Sequence, residues 1–245
     1  MHVVLKSTLS SLEGAPRALR EASEAFILCG GRASRLAGYP KGLLPWKGKS
    51  LVEALMEQLS VVAHQVTLLG DPKGPYQRLQ LPIRQEAHPG LGAPGALLGA
   101  LELSRSPYVF VLSCDLVGLR WVSLARLQKA LQLTIPLSQG DRPLFFGYRD
   151  AQGVQSLAGL WARRVLGELR GQLQRSKSSH GGKLPGVRSL IHACPHQLLS
   201  LPEEECWEHW NRPSDLPAKL RAQLPELIEA ERKREDGREA RSGYH

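Results

Sequence analysis

The sequence is short of cysteine, of aromatic residues and of long apolar runs, and each shortage closes off a class of protein. Its four cysteines, Cys29, Cys114, Cys194 and Cys206, contain no CxxC pair. That gives no basis for a disulfide framework or a four-cysteine zinc site, and makes a reducing, cytoplasmic compartment the expectation. No apolar run approaches the ~20 residues that cross a bilayer, so no membrane partner is expected. The N-terminal segment holds a lysine but lacks the apolar core, about 7–15 residues long, of a secretory signal. Aromatic residues make up 6% of the chain, too few for a base-stacking platform, and no nucleic acid is expected as a partner. Acidic residues are also scarce: 23 against 32 lysines and arginines, for a formal net charge of +9. The basic residues are scattered rather than blocked, which reads as a general attraction for small polyanions such as nucleotides.

What the chain does have is concentrated between Ala25 and Pro45. Ala25 to Cys29 is an apolar run of strand length. It breaks at Gly30-Gly31, where backbone can approach a ligand closely, and Arg32, Arg35 and Lys41 follow. A strand that ends in glycines and then cations can hold phosphates: successive backbone N–H groups form an anion-binding concavity and the side chains complete it.

Periodicity and turn signals lay out the remainder. Ser50 and Glu53 form a capping box ahead of a helix over Leu51 to Leu59. Strands are expected at Gln65 to Gly70 and Leu81 to Arg84, then a glycine-rich turn from His88 to Gly95 and a helix from Ala96 to Leu103. Tyr108 to Ser113 is a continuous apolar run suited to a central parallel strand, and it ends at Cys114-Asp115. Beyond it come a helix over Leu124 to Leu131, strands at Leu133 to Leu137 and Pro143 to Arg149, and a long amphipathic helix from Leu157 to Leu173. A basic loop from Ser176 to Gly182, a short helix from Leu184 to Cys194 and a strand from Gln197 to Leu201 follow. From Pro217 the pattern is helical and highly charged, with fraying expected past Ile228, where the apolar face ends. Strand–helix alternation in the first half argues an α/β fold with a mostly parallel sheet. Residues 1–24 read as a poorly ordered N-terminal extension, 25–216 as the functional domain and 217–245 as a charged helical tail.

Asp115 is the strongest single candidate outside the loop. An acid at the carboxyl end of an apolar parallel strand stands where open α/β sheets bind ligands; the plainer reading is an acid that caps the next turn. Gly90 to Gly95 matches GxGxxG formally, but Gln85 to Pro89 is a poor lead-in strand for a dinucleotide fingerprint. Gly48-Lys49-Ser50 lacks the first glycine of a P-loop. His192, Cys194, His196, Cys206 and His209 fit no common zinc spacing.

The loop Leu28-Cys29-Gly30-Gly31-x-x-Ser34-Arg35, closing on Lys41, resembles the signature loop of the molybdenum cofactor guanylyltransferases. These belong to the wider nucleotidyltransferase family with a Rossmann-like, three-layer sandwich fold of the nucleotide-diphospho-sugar transferase type. The resemblance runs from about Ala25 to Leu216. Cys29 stands for the family's usual alanine, and the glycine pair is similar to the guanylyl rather than the cytidylyl branch. The resemblance implies transfer of GMP from GTP to the terminal phosphate of molybdopterin, with release of pyrophosphate and a need for Mg²⁺. It implies that Leu28, Cys29, Gly30 and Gly31 wrap the triphosphate, that Arg35 either contacts the phosphates or holds the loop, that Lys41 lies on the reacting phosphate and that Asp115 holds the metal. Gly70, Glu86 and Gly95 correspond to positions around the nucleoside. Asn211-Arg212-Pro213-Ser214-Asp215-Leu216 resembles the family's closing segment, which makes Asn211 a second metal contact. That segment's first asparagine is His209 here, Val117 replaces a proline after Asp115, and Ala96 replaces another. Molybdoenzymes or their chaperones are the implied protein partners. Three other readings compete: a related cytidylyl or sugar-phosphate transferase, a non-catalytic cofactor-binding protein, and a dinucleotide oxidoreductase.

Overall fold

Two apolar six-residue stretches, Ser23–Leu28 and Tyr108–Ser113, lie side by side in parallel at the centre of an eight-stranded sheet. The computed structural model describes residues 20–21, 23–30, 36–138, 140–178, 185–202 and 205–242. In chain order the elements are β1 (Ser23–Leu28), β2 (Pro45–Trp46), β3 (Lys49–Ser50), α1 (Leu51–Val62), β4 (Gln65–Gly70), β5 (Ile83–Gln85), α2 (Gly92–Leu103), β6 (Tyr108–Ser113), β7 (Leu116–Val117) and α3 (Trp121–Leu133). The second half adds β8 (Phe145–Asp150), β9 (Gly153–Val154), β10 (Ala158–Ala162), α4 (Leu166–Ser178), α5 (Val187–Ala193), β11 (His196–Ser200), β12 (Glu208–His209) and α6 (Ala218–Ser242).

The sheet order is β11-β8-β10-β6-β1-β4-β5, with β9 on β8. The pairs β6–β1, β1–β4, β4–β5 and β8–β11 are parallel, whereas β10 runs antiparallel to both of its neighbours. Alternation along β1 makes three layers. Ala25 and Ile27 join a core with α1, α3 and the start of α6. Phe26 and Leu28 join the opposite core with α2, α4 and α5. A central strand with buried side chains on both faces reads as a continuous apolar run, and for that reason β1 and β6 stand out in the sequence. Among the described residues no helix is long and apolar enough to cross a membrane.

Four expectations change. Leu157 to Leu173 is not one helix: Ala158–Ala162 is a strand, every residue of it buried, and the helix starts at Leu166. Leu157, Leu160, Trp161 and Val165 imitate helical spacing, but Gly159 in the middle is a strand position over which the Phe145 ring lies. Leu133 to Leu137 is no strand either. Leu133 closes α3, and turns follow with Leu133, Ile135 and Leu137 all exposed, so there is no neighbouring strand for them to face. Helix α2 begins at Gly92, four residues before Ala96, because Pro94 in a first turn lacks only an N–H that would have no partner there anyway. Helix α6 continues past Ile228 to Ser242. Its outer half is tied by Glu231, buried and paired with Arg78, and by surface pairs of Glu229 with Arg232 and Lys233. The expected extension of residues 1–24 lies mostly outside the described residues, as does most of the Ser176 to Gly182 loop.

The carboxyl ends of β1, β4 and β6 share one edge. Cys29 N–H reaches Leu69 O at 2.8 Å and Cys114 N–H reaches Leu28 O at 3.2 Å, so the ladder carries one residue past each strand. Beyond that edge β7 pairs antiparallel with β12, His209 opposite Leu116, and this brings the C-terminal segment back over Asp115. Gly118 allows the approach: its φ is +84°, and a Cβ there would lie 2.4 Å from the Cys206 carbonyl oxygen. Gly118→Ala is therefore expected to lower stability by about 1–3 kcal/mol, which thermal unfolding measures. An unchanged melting temperature would show that the ribbon tolerates looser pairing.

Candidate active site

Lys41 is delivered by the loop that leaves β1. It opens a 3-10 turn whose following residue, Gly42, donates its N–H to the buried Tyr76 hydroxyl at 3.1 Å. Asp115 is delivered by β6, one residue past the end of the extended ladder. Asn211 and His209 come from β12 and the residues after it. Trp210 N–H donates to the Asp115 carbonyl at 3.0 Å and holds that segment in register. Trp46, on β2, stands edge-on to the Trp210 ring with centroids 5.4 Å apart, and so braces the Lys41 loop against the same segment.

These side chains meet. Lys41 Nζ is 3.2 Å from Asp115 Oδ2 and 2.5 Å from Asn211 Oδ1. His209 Nδ1 is 3.2 Å from Asp115 Oδ1, to which the Ser113 hydroxyl also donates. His209 Nε2 faces Gln155 Oε1 at 2.8 Å, and Gln155 Nε2 donates to Asp150 Oδ2 at 2.5 Å. Asp115 is 7% exposed. Burial pushes its carboxyl up. The hydrogen bonds from His209 and Ser113 and the charges of Lys41 and His209 outweigh that and bring it down to about 2. The acid is thus ionised throughout the physiological range.

The phosphate-loop residues fall in two groups. Gly31 and Arg35, with Arg32 and Ser34, lie outside the described residues. Leu28 is the buried last residue of β1, and the Cys29 side chain is buried too. Burial, then a hydrogen bond with Cys114, raise the Cys29 thiol well above its ordinary value, so only its backbone is left for a ligand. Gly30 is open, and a Cβ on it would stand 2.3 Å from Glu86 Oε2. Only glycine lets the Glu86 carboxylate come that close, and this seats Glu86 beside the loop. Burial raises the Glu86 carboxyl against the pull of His88. Gly70 packs on Cys29 at the end of β4. Gly95 lies in the first turn of α2, over the His88 carbonyl. The GxGxxG reading fails on the strand: β5 stops at Gln85 and Glu86 to Pro89 intervene.

The donor set shows which atoms a divalent ion would meet here. The Asp115 and Asn211 oxygens converge on one cation, the Lys41 ammonium. Among the described residues no group of three or more His, Cys, Asp or Glu side chains gathers. One carboxylate and one amide oxygen are the hard donors that an ion keeping much of its hydration takes. Gln155 and Asp150 carried no signal in the sequence, because a strand end and the residue after a two-residue strand have no motif around them. Ser113 was legible only as the residue before Cys114-Asp115.

The ionised Asp115 makes an acid-sensitive contribution to folding. A carboxyl held below its unfolded value stabilises fully above about pH 4, and that contribution, about 2 kcal/mol, is lost as the pH falls through about 2. Melting temperatures from pH 2 to 6 should show an acid limb that is shallower in Asp115→Asn; parallel curves for the two proteins would remove this account.

The family model described as "MobA-like NTP transferase domain" matches residues 25–197. A protein named "Probable molybdenum cofactor guanylyltransferase" from Flavobacterium johnsoniae is 22% identical over 184 residues, 74% of this chain and 86% of that protein. The "Molybdenum cofactor guanylyltransferase" of Mannheimia succiniciproducens is 29% identical over 112 residues, 45% of this chain and 59% of that protein. Among solved structures, molybdopterin-guanine dinucleotide biosynthesis protein A from Archaeoglobus fulgidus superimposes with a TM-score of 0.56 at 14% identity, covering 84% of this chain and 99% of that one. At that identity the likeness concerns the fold alone, which is the mostly parallel three-layer sandwich expected.

Proposed function

The chain belongs to the MobA-like NTP transferase family, and from that premise we propose that it transfers GMP from GTP to the terminal phosphate of molybdopterin, with release of pyrophosphate. The observation that supports this most directly is the convergence of the Lys41, Asp115 and Asn211 side chains beyond the carboxyl end of β6. The attacking phosphate oxygen is already anionic at neutral pH. The site therefore needs charge neutralisation and in-line positioning rather than acid–base chemistry.

Each residue has a role on this reading. The Gly30 and Gly31 amides take the triphosphate with Arg35. Lys41 leaves its ion pair for the α-phosphate, where its charge offsets the negative charge that grows in the transition state. Asp115 and Asn211 hold Mg²⁺ through oxygen, and the ion supplies further charge neutralisation on the phosphates. Glu86, pressed against Gly30, offers an acceptor toward the nucleoside. Ser113 keeps Asp115 aimed. Molybdoenzymes or their chaperones are the protein partners that would consume the product.

Thermal-shift measurements with each of the four NTPs and Mg²⁺ should give the largest rise with GTP, and GTP with molybdopterin should yield pyrophosphate. Asp115→Asn and Lys41→Ala should each slow that release about 10²–10³-fold with the fold intact. A larger shift with CTP would point to a cytidylyl enzyme. Pterin binding without turnover in the unmodified chain would point to a binding protein.

A further inference from the structure

His209 replaces an asparagine in the segment that resembles the family's closing motif, and both of its ring nitrogens are held. The neighbours decide which nitrogen carries hydrogen. Asp150 Oδ2 accepts from the Gln155 amide nitrogen. The reverse placement would set the Gln155 oxygen against a carboxylate, acceptor on acceptor. The Gln155 carbonyl therefore faces His209 Nε2 at 2.8 Å, and a carbonyl only accepts. Nε2 carries the hydrogen. In the neutral ring the free lone pair is on Nδ1.

That lone pair points at Asp115 Oδ1, 3.2 Å away. Two electron-rich atoms facing each other at this distance need something positive between them. A divalent ion fits there: adjacent donors on an octahedral ion with bonds of about 2.1 Å are roughly 3 Å apart. The arrangement Asp150–Gln155–His209 is also the usual outer support of a metal-binding histidine, in which the far N–H is tied so that the near nitrogen is presented to the ion. Gln155 is buried and its backbone N–H is bonded to Tyr148 O at 2.9 Å, so this support is anchored in the fold.

We propose that His209 Nδ1 and Asp115 together form a nitrogen–oxygen metal centre that favours a first-row transition ion, with Mn²⁺ as its probe, over Mg²⁺. The inference rests on the reading above, that Asp115 holds the divalent ion. Mg²⁺ prefers hard oxygen ligands and gains little from imidazole, whereas the transition ions gain from it. The residue that departs from the resembled motif thereby sets the ion preference of this chain.

The test uses the full-length protein, grown with ¹⁵N-labelled histidine, together with Mn²⁺ and GTP. Pulsed electron paramagnetic resonance should show a directly bonded histidine ¹⁵N. The label separates it from any guanine nitrogen. His209→Asn should abolish that coupling and weaken Mn²⁺ about tenfold or more, while Mg²⁺ changes far less. Gln155→Leu, which frees the ring, should weaken Mn²⁺ about 10–100-fold. Mn²⁺ that binds in an Asp115-dependent way without histidine coupling would overturn the proposal and leave the function standing, with His209 merely bracing the carboxylate. Mn²⁺ binding that Asp115→Asn leaves unaltered would overturn the divalent reading itself, and this inference with it.

Discussion

A single buried carboxylate sets the terms for everything around it. Asp115 sits almost out of water at the end of the central strand, where an unpaired charge would be costly. It is tolerated because four groups from distant parts of the chain answer it: Ser113 from its own strand, Lys41 from the first loop, His209 at Asp115 and Asn211 at Lys41 from the C-terminal return. Each partner can be where it is only if its element is where it is. The site and the fold are therefore one constraint seen from two sides.

The second requirement is a return path. The β7–β12 ribbon is only two residues wide on each strand, yet it carries both His209 and Asn211 to the carboxylate. Trp210, whose backbone N–H holds the Asp115 carbonyl, is nearly fully buried, and its ring meets Trp46. The hydrophobic seat and the polar reach belong to alternate residues of one short segment, as strand geometry dictates. Gly118 removes the one steric obstacle to that seat.

The sequence was most informative where physics leaves a local trace. Central parallel strands need apolar side chains on both faces, so β4 and β6 were readable with their ends and β1 to within two residues. The Ser50–Glu53 box marks the start of α1 because its bonds are local, and they are found as expected. The motif brought Lys41, Asp115 and Asn211 forward as candidates, but their pairing with one another is a long-range contact that it does not show. The second half was less readable because β10 runs antiparallel between β6 and β8 and has no helix-crossover pattern to announce it. Ala158–Ala162 presents small and aromatic residues whose spacing fits a helix equally well, and only the neighbouring β6 and β8 decide the matter. Gln155 and Asp150 escaped notice for the same reason. Their significance lies in the ring they face, and that contact is not local.

The order in which the chain leaves the ribosome makes the C-terminal return matter in another way. The N-terminal strands and Asp115 emerge long before Glu208–His209 exists. During that interval β7 lacks the strand it pairs with, and the His209 and Asn211 side chains that meet Asp115 and Lys41 have yet to be synthesised. The polar cluster around Asp115 and Lys41 therefore closes only once residues 209–211 have been made, so the two ends of the domain are committed to each other late in folding.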